Sequence, residues 1–189
     1  CWWYQYFTGV TEDHVRSNLA LTADWRFDVF QVADGFEPAV GDWLTTQTSF
    51  HEEHQGPRCL THNDFRPDNM MFGNEKGGHP ITVLDWQSFA YGVGATDLAY
   101  FLAGALTPDA RRAAEPEMLR LYLDTLVEHG VTGYGMEALK RDYGRGAYLL
   151  FLTAFFASMI VTQTARGDDM FMQMLESAAD HMLDHGVVG

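Results

Sequence analysis

Among 189 residues the sequence holds only two cysteines, Cys1 and Cys59. Two cannot build a disulfide framework, so the chain reads as a protein of the reducing cytosol, a cytoplasmic placement. Basic residues are scarce as well: 12 Lys and Arg face 26 Asp and Glu, a formal net charge of −14. That balance argues against nucleic acid, whose affinity comes from Lys and Arg on phosphates. It argues equally against an anionic membrane surface. A cationic ligand would suit it, although an acidic surface is more often a solubility device. No long apolar run is present to span a bilayer. Ala147 to Thr162 covers 16 residues and contains Thr153 and Ser158, short of the roughly 20 that a bilayer requires, so a buried helix is expected there. Repeats and low-complexity tracts are missing, and so is a Gly-x-Ser-x-Gly elbow, which disfavours a serine hydrolase. With 47% apolar residues the chain is still globular, and its length fits one domain with a proper core.

The chemistry is concentrated between Thr61 and Asp85. The run Thr61-His62-Asn63-Asp64-Phe65-Arg66-Pro67-Asp68-Asn69 leads into apolar Met70-Met71-Phe72. A turn-rich Gly73 to Pro80 follows, then Ile81-Thr82-Val83-Leu84-Asp85-Trp86-Gln87. Asp64 and Asn69 stand five apart on a loop that Pro67 keeps out of helix. The two apolar runs read as a β-hairpin. A hairpin returns the chain to where it left, so Asp85 is expected beside Asn69 and close to Asp64. A carboxylate, an amide oxygen and a second carboxylate would then share one pocket. Phosphoryl transfer needs such a set. One carboxylate orients a hydroxyl nucleophile and accepts its proton, and an oxygen pair holds Mg²⁺ against the phosphates of ATP. His62, Asp64 and Asn69 meet the His-x-Asp-x-x-x-x-Asn spacing of a kinase catalytic loop. Asp85 stands where kinases carry a metal-binding Asp, with Asp-Trp-Gln in place of Asp-Phe-Gly.

Together with Gly94-Ala95-Thr96-Asp97-Leu98-Ala99-Tyr100-Phe101-Leu102, these runs resemble the aminoglycoside/choline kinase-type phosphotransferases, and most closely their ecdysteroid kinase-like branch. The motifs cover roughly residues 59 to 105. Two positions depart from the family pattern: Asn63, where Gly is usual, and Arg66, where many members have His. The resemblance implies an α+β, mostly α fold: the C-lobe of a protein-kinase-like structure, with a small β-hairpin carrying the catalytic loop. It implies a small-molecule phosphotransferase that moves the γ-phosphoryl group of ATP to a substrate hydroxyl. Asp64 would be the base, and Asn69 and Asp85 the Mg²⁺ ligands. It also implies that Asp97 ties back to the catalytic loop, a structural role. Kinase-type enzymes carry an N-lobe with a phosphate-covering loop and an ATP-binding Lys. No Gly-x-Gly-x-x-Gly loop followed by such a Lys precedes His62. The expectation is therefore that residues 1–189 form the C-lobe alone, with the catalytic segment at 59–105.

Several residues admit two readings. Arg66 lies two beyond Asp64, where a guanidinium could meet the transferred phosphate, or could simply pair with Asp68 or another acid. Asp68 and Gln87 are either cleft residues or solvated ones. Trp43, Trp86 and Tyr91 could box a choline-like cation, with core packing the plainer expectation. His51-Glu52-Glu53-His54 has its histidines at i and i+3, not the i and i+4 of a zinc helix, and reads as a solvated helix end. Gly92-Val93-Gly94 lacks the third glycine of a dinucleotide loop. Two other classes could use the same groups: a non-catalytic pseudokinase or binding module, and a metal-dependent hydrolase. Nucleotide binding separates them.

Helices are expected elsewhere. One start falls at Thr11-Glu12-Asp13-His14 and a second helix spans Ala33 to Gln55. Thr107-Pro108-Asp109 caps a third. It runs to about His129, is closed by Gly130, and has a candidate break at Glu115-Pro116. Another spans about Met136 to Ala165, apolar all round from Tyr148 to Val161 as a central helix would be. The last runs from Asp168 to His185 with a stripe of Met170, Met174 and Met182, read as adaptable core. Arg58 to Thr61 reads as a short strand delivering His62.

Overall fold

Two short antiparallel ladders, one nested inside the other, hold the loop of Asp64 and Asn69 and the segment of Asp85. The computed structural model describes His54 and residues 56–187. By compactness the chain divides into Cys1–Gln55 and Gly56–Gly189. Strand β1, Cys59–Thr61, pairs with β4, Ala90–Gly92, in the register Cys59↔Gly92, Leu60↔Tyr91 and Thr61↔Ala90. Between them lie β2, Met70–Asn74, and β3, Gly77–Val83, paired as Met70↔Val83, Met71↔Thr82 and Phe72↔Ile81. The loop 62–69 therefore leaves the outer ladder and enters the inner one, and the segment 84–89 makes the reverse crossing. Both crossings occupy the same gap.

The hairpin is longer than its apolar runs. It takes in Gly73 to Pro80 except for a two-residue turn at Glu75 and Lys76, so the turn-rich stretch is largely strand. Glycines make this possible. Gly77 and Gly78 have φ of +109° and +102°, a region that side chains rarely enter. At Gly73, where the register slips between Phe72 and Asn74, a Cβ would lie 2.6 Å from the His79 carbonyl. Pro80 is tolerated in β3 because both strands of a two-stranded ribbon are edges, where proline within a sheet is found.

Four helices follow: α1 Ala95–Ala105, α2 Pro108–Glu128, α3 Met136–Ile160 and α4 Ala165–Asp184. α3 is central and packs on the other three. Its residues Tyr143, Ala147, Leu150 and Ala154, spaced by four, three and four, are wholly buried. Such spacing lines one helix face. Phe171, Met174, Leu175, Ala178 and Met182 of α4 cover that face, so Met174 and Met182 are core as expected. Met170 is exposed. α1 approaches α3 most tightly at Gly146, where a Cβ would lie 2.7 Å from the Ala99 Cβ and 2.9 Å from the Thr96 Cα.

Several expected boundaries move. α2 continues through Pro116 without a break. α3 ends at Ile160 rather than near Ala165, because the backbone is extended at Val161 and again at Thr164. The Thr164 hydroxyl accepts the Gly167 amide at 3.1 Å, so α4 starts at Ala165, three residues before Asp168. Thr107 caps α2 as expected, accepting from the Ala110 amide. Gly130 closes it at φ +86°. The helix start at Thr11, the Ala33–Gln55 helix and Trp43 lie outside the described residues. Of His51 to His54 only His54 is described. It is buried and outside any helix, not a solvated helix end. Among the described residues no helix is long and apolar enough to cross a membrane. Cys59 is a free thiol. The architecture is mixed, mostly helical, and consistent with a kinase-like C-lobe.

Candidate active site

The gap between the two ladders brings the sequence-predicted groups together. Asp64 lies on the loop after β1, and about one fifth of its side chain is exposed. Both carboxylate oxygens are engaged. Oδ2 accepts from Asn69 Nδ2 at 2.9 Å, and Oδ1 accepts from the Tyr100 hydroxyl at 2.9 Å. Asn69 Nδ2 also donates to the Asp64 carbonyl at 2.9 Å. Two acceptors on one side fix the amide orientation, because only the NH₂ end can satisfy them. The acceptor Oδ1 of Asn69 therefore turns the other way.

The hairpin returns Asp85 as its pattern requires. The Leu84 amide donates to the Asn69 carbonyl at 2.8 Å, one residue before Asp85. Asp85 is exposed and sits at φ +58°, ψ +57°. That left-handed residue lies two beyond the end of β3 and leads into the 3-10 turn Trp86–Ser88.

His62 joins the two crossings. Its Nδ1 accepts from the Asp64 amide at 3.2 Å, and its Nε2 lies 2.7 Å from the Leu84 carbonyl. An amide only donates and a carbonyl only accepts, so the imidazole is neutral with its proton on Nε2. The ring is buried and packs at 4.8 Å on Trp86 and 5.9 Å on Phe65. It is a brace between the Asp64 loop and the Asp85 segment.

Asp97, in the first turn of α1, holds the same loop from below. Its two oxygens accept the His62 amide at 2.6 Å and the Asn63 amide at 2.8 Å. Burial pushes its carboxyl up from the ordinary value, and these two amides oppose that shift. Asn63 lies at φ +63° and donates through Nδ2 to the Ser88 carbonyl at 2.8 Å. That left-handed backbone is one glycine adopts freely, and Asn is among the side chains that best tolerate it.

Arg66 stands beside two acids. Its Nε lies 3.6 Å from Asp64 Oδ1 and 3.9 Å from Asp68 Oδ2, within ion-pair range and beyond hydrogen-bond length. The Nε atom is buried without a hydrogen-bond partner. Asp68 and Gln87 are solvent-exposed. Trp86 is 41% exposed and Tyr91 72%, so core packing is not what holds either. Trp86 is placed by His62 and by its indole N–H, which donates to the Val83 carbonyl at 3.1 Å.

Tyr100 is the residue that sequence reasoning missed. The sequence offers only a partial signal: Asp97 and Tyr100 are one turn apart and share a helix face, which does not say which carboxylate the hydroxyl meets. One takes the backbone of the loop and the other takes its carboxylate.

A second cluster of potential ligands among the described residues is Glu115, His181 and His185. It is an ion-pair joint between helices. Glu115 Oε1 accepts from the buried Arg111 guanidinium, from the Tyr143 hydroxyl at 2.9 Å and from His185 Nε2 at 3.3 Å. Arg111 also contacts Asp184. A guanidinium against the only shared oxygen disfavours a second cation there. Burial works to raise the Glu115 carboxyl, but His185, Arg111 and Tyr143 outweigh it and hold it down to about 2.

Residues 32–131, just over half of the chain, match the model of the ecdysteroid kinase-like family. No solved structure matches.

Proposed function

We propose that this chain, which belongs to the ecdysteroid kinase-like family, carries the catalytic centre of an ATP-dependent kinase that phosphorylates a hydroxyl of a small molecule. Members of the family are kinase-like phosphotransferases. One observation supports the reading above all: a carboxylate gripped through both oxygens, by Asn69 and Tyr100, whose amide partner is bonded through its backbone to the residue before Asp85.

The donor set fits Mg²⁺. Asn69 Oδ1 and the Asp85 carboxylate are hard oxygen ligands, and Mg²⁺ takes one or two carboxylates with phosphates and water completing its shell. When bound, the ion supplies charge neutralisation at the phosphates. Asp64 orients the acceptor hydroxyl and takes its proton. Each of its oxygens keeps a lone pair beyond the hydrogen bond already made. Arg66 would meet phosphate charge, a role supported by its buried N–H without a hydrogen bond beside that carboxylate. No covalent intermediate is needed, since the nucleophile comes from the acceptor. Aminoglycosides, choline-like cations and hydroxylated apolar compounds are the acceptor classes to screen.

The test is an acceptor screen of the full-length protein with Mg²⁺-ATP, following ADP release. With the acceptor found, Asp64→Asn keeps ATP affinity and loses transfer by about 100-fold or more, the scale of a general base. Asp85→Ala instead weakens Mg²⁺-dependent ATP binding along with turnover. Near wild-type turnover in Asp64→Asn would sink the base assignment. An unchanged Mg²⁺ titration in Asp85→Ala would remove Asp85 from the metal.

A further inference from the structure

Asp64 stands between two competing donors for one oxygen. Tyr100 reaches Oδ1 from α1 at 2.9 Å, a hydrogen bond, while Arg66 Nε approaches the same oxygen to 3.6 Å and stops short of one. Tyr100 is wholly buried, and its phenol proton is locked in place: burial first, and then Asp64, push its pKa well above the ordinary value. Arg66 lies on the loop itself with its Nε buried and without a hydrogen bond. A buried donor left unsatisfied costs on the order of 1 to 3 kcal/mol. The loop therefore has a standing incentive to close the Asp64–Arg66 gap. A carboxylate turns readily about its last bond, whose torsion is broad and roughly two-fold. Asn69 grips Oδ2, but a single hinge point leaves the carboxylate plane free to swing. Tyr100 supplies the second point.

We propose that Tyr100 is a positioning residue. By holding Asp64 Oδ1 it keeps the carboxylate off Arg66, leaving the base aimed at the acceptor hydroxyl and the guanidinium free for phosphate. This rests on the reading of Asp64 as the base. Tyr100 touches neither substrate nor nucleotide in this role. Its effect belongs to the transfer step, because a misaimed base lowers turnover while ground-state nucleotide contacts persist.

The experiment uses full-length protein, Mg²⁺-ATP, and the acceptor identified by ADP release. Tyr100→Phe, which removes only the hydroxyl, loses about tenfold in kcat, the scale of a geometric misplacement short of losing the base itself. Its KM for ATP changes less than about twofold. The decisive readout is a cycle with Arg66→Gln. If the freed carboxylate is captured by Arg66, then Tyr100→Phe costs much less in the Arg66→Gln background than in the wild type. Losses that multiply would overturn the proposal, as would a Tyr100→Phe enzyme with unchanged kcat. A Tyr100→Phe protein that loses ATP binding as well would make the tyrosine merely structural, which also overturns it. Asp64→Asn, run in parallel, separates the two failures. If it retains transfer, the base reading falls. If it is inactive while Tyr100→Phe is normal, only the positioning role falls.

Discussion

At Asn63 the backbone is left-handed, φ +63°, and the side chain bonds the Ser88 carbonyl. Those are two separable contributions. A non-glycine residue pays roughly 1 kcal/mol or more for that conformation, and a buried hydrogen bond is worth about 1 kcal/mol. Asn63→Gly keeps the conformation and loses the bond, so urea unfolding gives a loss of about 1 kcal/mol or less. Asn63→Ala loses both and costs about 2 kcal/mol. Equal stabilities for the two variants would mean that the strained backbone contributes nothing. The same scale explains what the sequence could show. Asp64 and Asn69 were legible because their relation is local, five residues along one loop. Asp85 was legible because a hairpin is a two-run pattern. Tyr100 was not, since its bond to Asp64 spans 36 positions and nothing in local spacing reports which carboxylate a buried hydroxyl will find. Arg66 was legible only as an alternative, a phosphate contact or an ion pair with Asp68 or another acid, because loop spacing does not say which charge a guanidinium will answer.

The elements differ in how openly they announce themselves. α3 and α4 carry apolar stripes at helical spacing, and Thr107 is a capping residue at the start of α2, so helices were expected in these places, while the cap at Thr164 went unread. Of the β1–β4 ladder only the first strand was legible, as Arg58 to Thr61, and its partner β4 was not. Its strands are three residues each and are held mostly by backbone pairing, with Leu60 and Tyr91 exposed. Pro116 misled in the other direction. An interior proline costs roughly 3 kcal/mol, yet α2 continues. The preceding Glu115 is bonded to Arg111, Tyr143 and His185, and that tertiary joint holds the turn. The α1–α3 contact carries a prediction of its own. In isolation Gly→Ala within a helix gains about 1 kcal/mol. At Gly104 of α1, a Cβ would meet only Leu150 methyls at 3.6 and 3.8 Å, so Gly104→Ala is neutral or stabilising. At Gly146 it would meet backbone at 2.9 Å, and overpacking of that kind costs about 1–3 kcal/mol. Gly146→Ala should therefore lower the urea midpoint while Gly104→Ala does not. Because α1 carries Asp97 and Tyr100, a push on Ala99 should also reduce phosphate transfer. A Gly146→Ala protein as stable as Gly104→Ala would show that the two helices are not in close contact there.

For the molecule as a whole, charge is the dominant property: −14 over 189 residues. Lowering the pH relieves that self-repulsion, and Asp97, whose carboxyl burial pushes up, also gains from protonation in the folded state. Both raise stability as pH falls. The helix joint has the opposite sign. His181 is wholly buried on α4, and burial first, then the charges of His185 and Arg111, hold its imidazole down to about 4. Its Nε2–H donates to the Tyr143 carbonyl of α3 at 3.1 Å, and Glu115 of α2 lies 3.9 Å from Nδ1. An unfolded histidine titrates near 6.5. Between about 6.5 and about 4 the unfolded chain therefore takes up a proton that the folded one refuses, and folding stability falls with pH across that window. Glu115 continues the loss lower down. Its contribution is complete above about 4.5 and disappears as pH drops toward about 2, where its links to Arg111 and His185 end. The sequence reported the charge balance but not this joint, because Glu115, His181 and Tyr143 come from three different helices. The check is a difference measurement, which cancels the general charge effect. His181→Asn should be less stable than the wild type at pH 7.5, having lost packing and the fit to the Tyr143 carbonyl. At pH 4.5 the gap should have narrowed, by on the order of 2 kcal/mol, because only the wild type carries the buried imidazole that resists protonation. Urea midpoints for the two proteins at both pH values decide it. Parallel curves would mean that His181 accepts a proton as easily folded as unfolded, and that the acid sensitivity of this fold lies elsewhere.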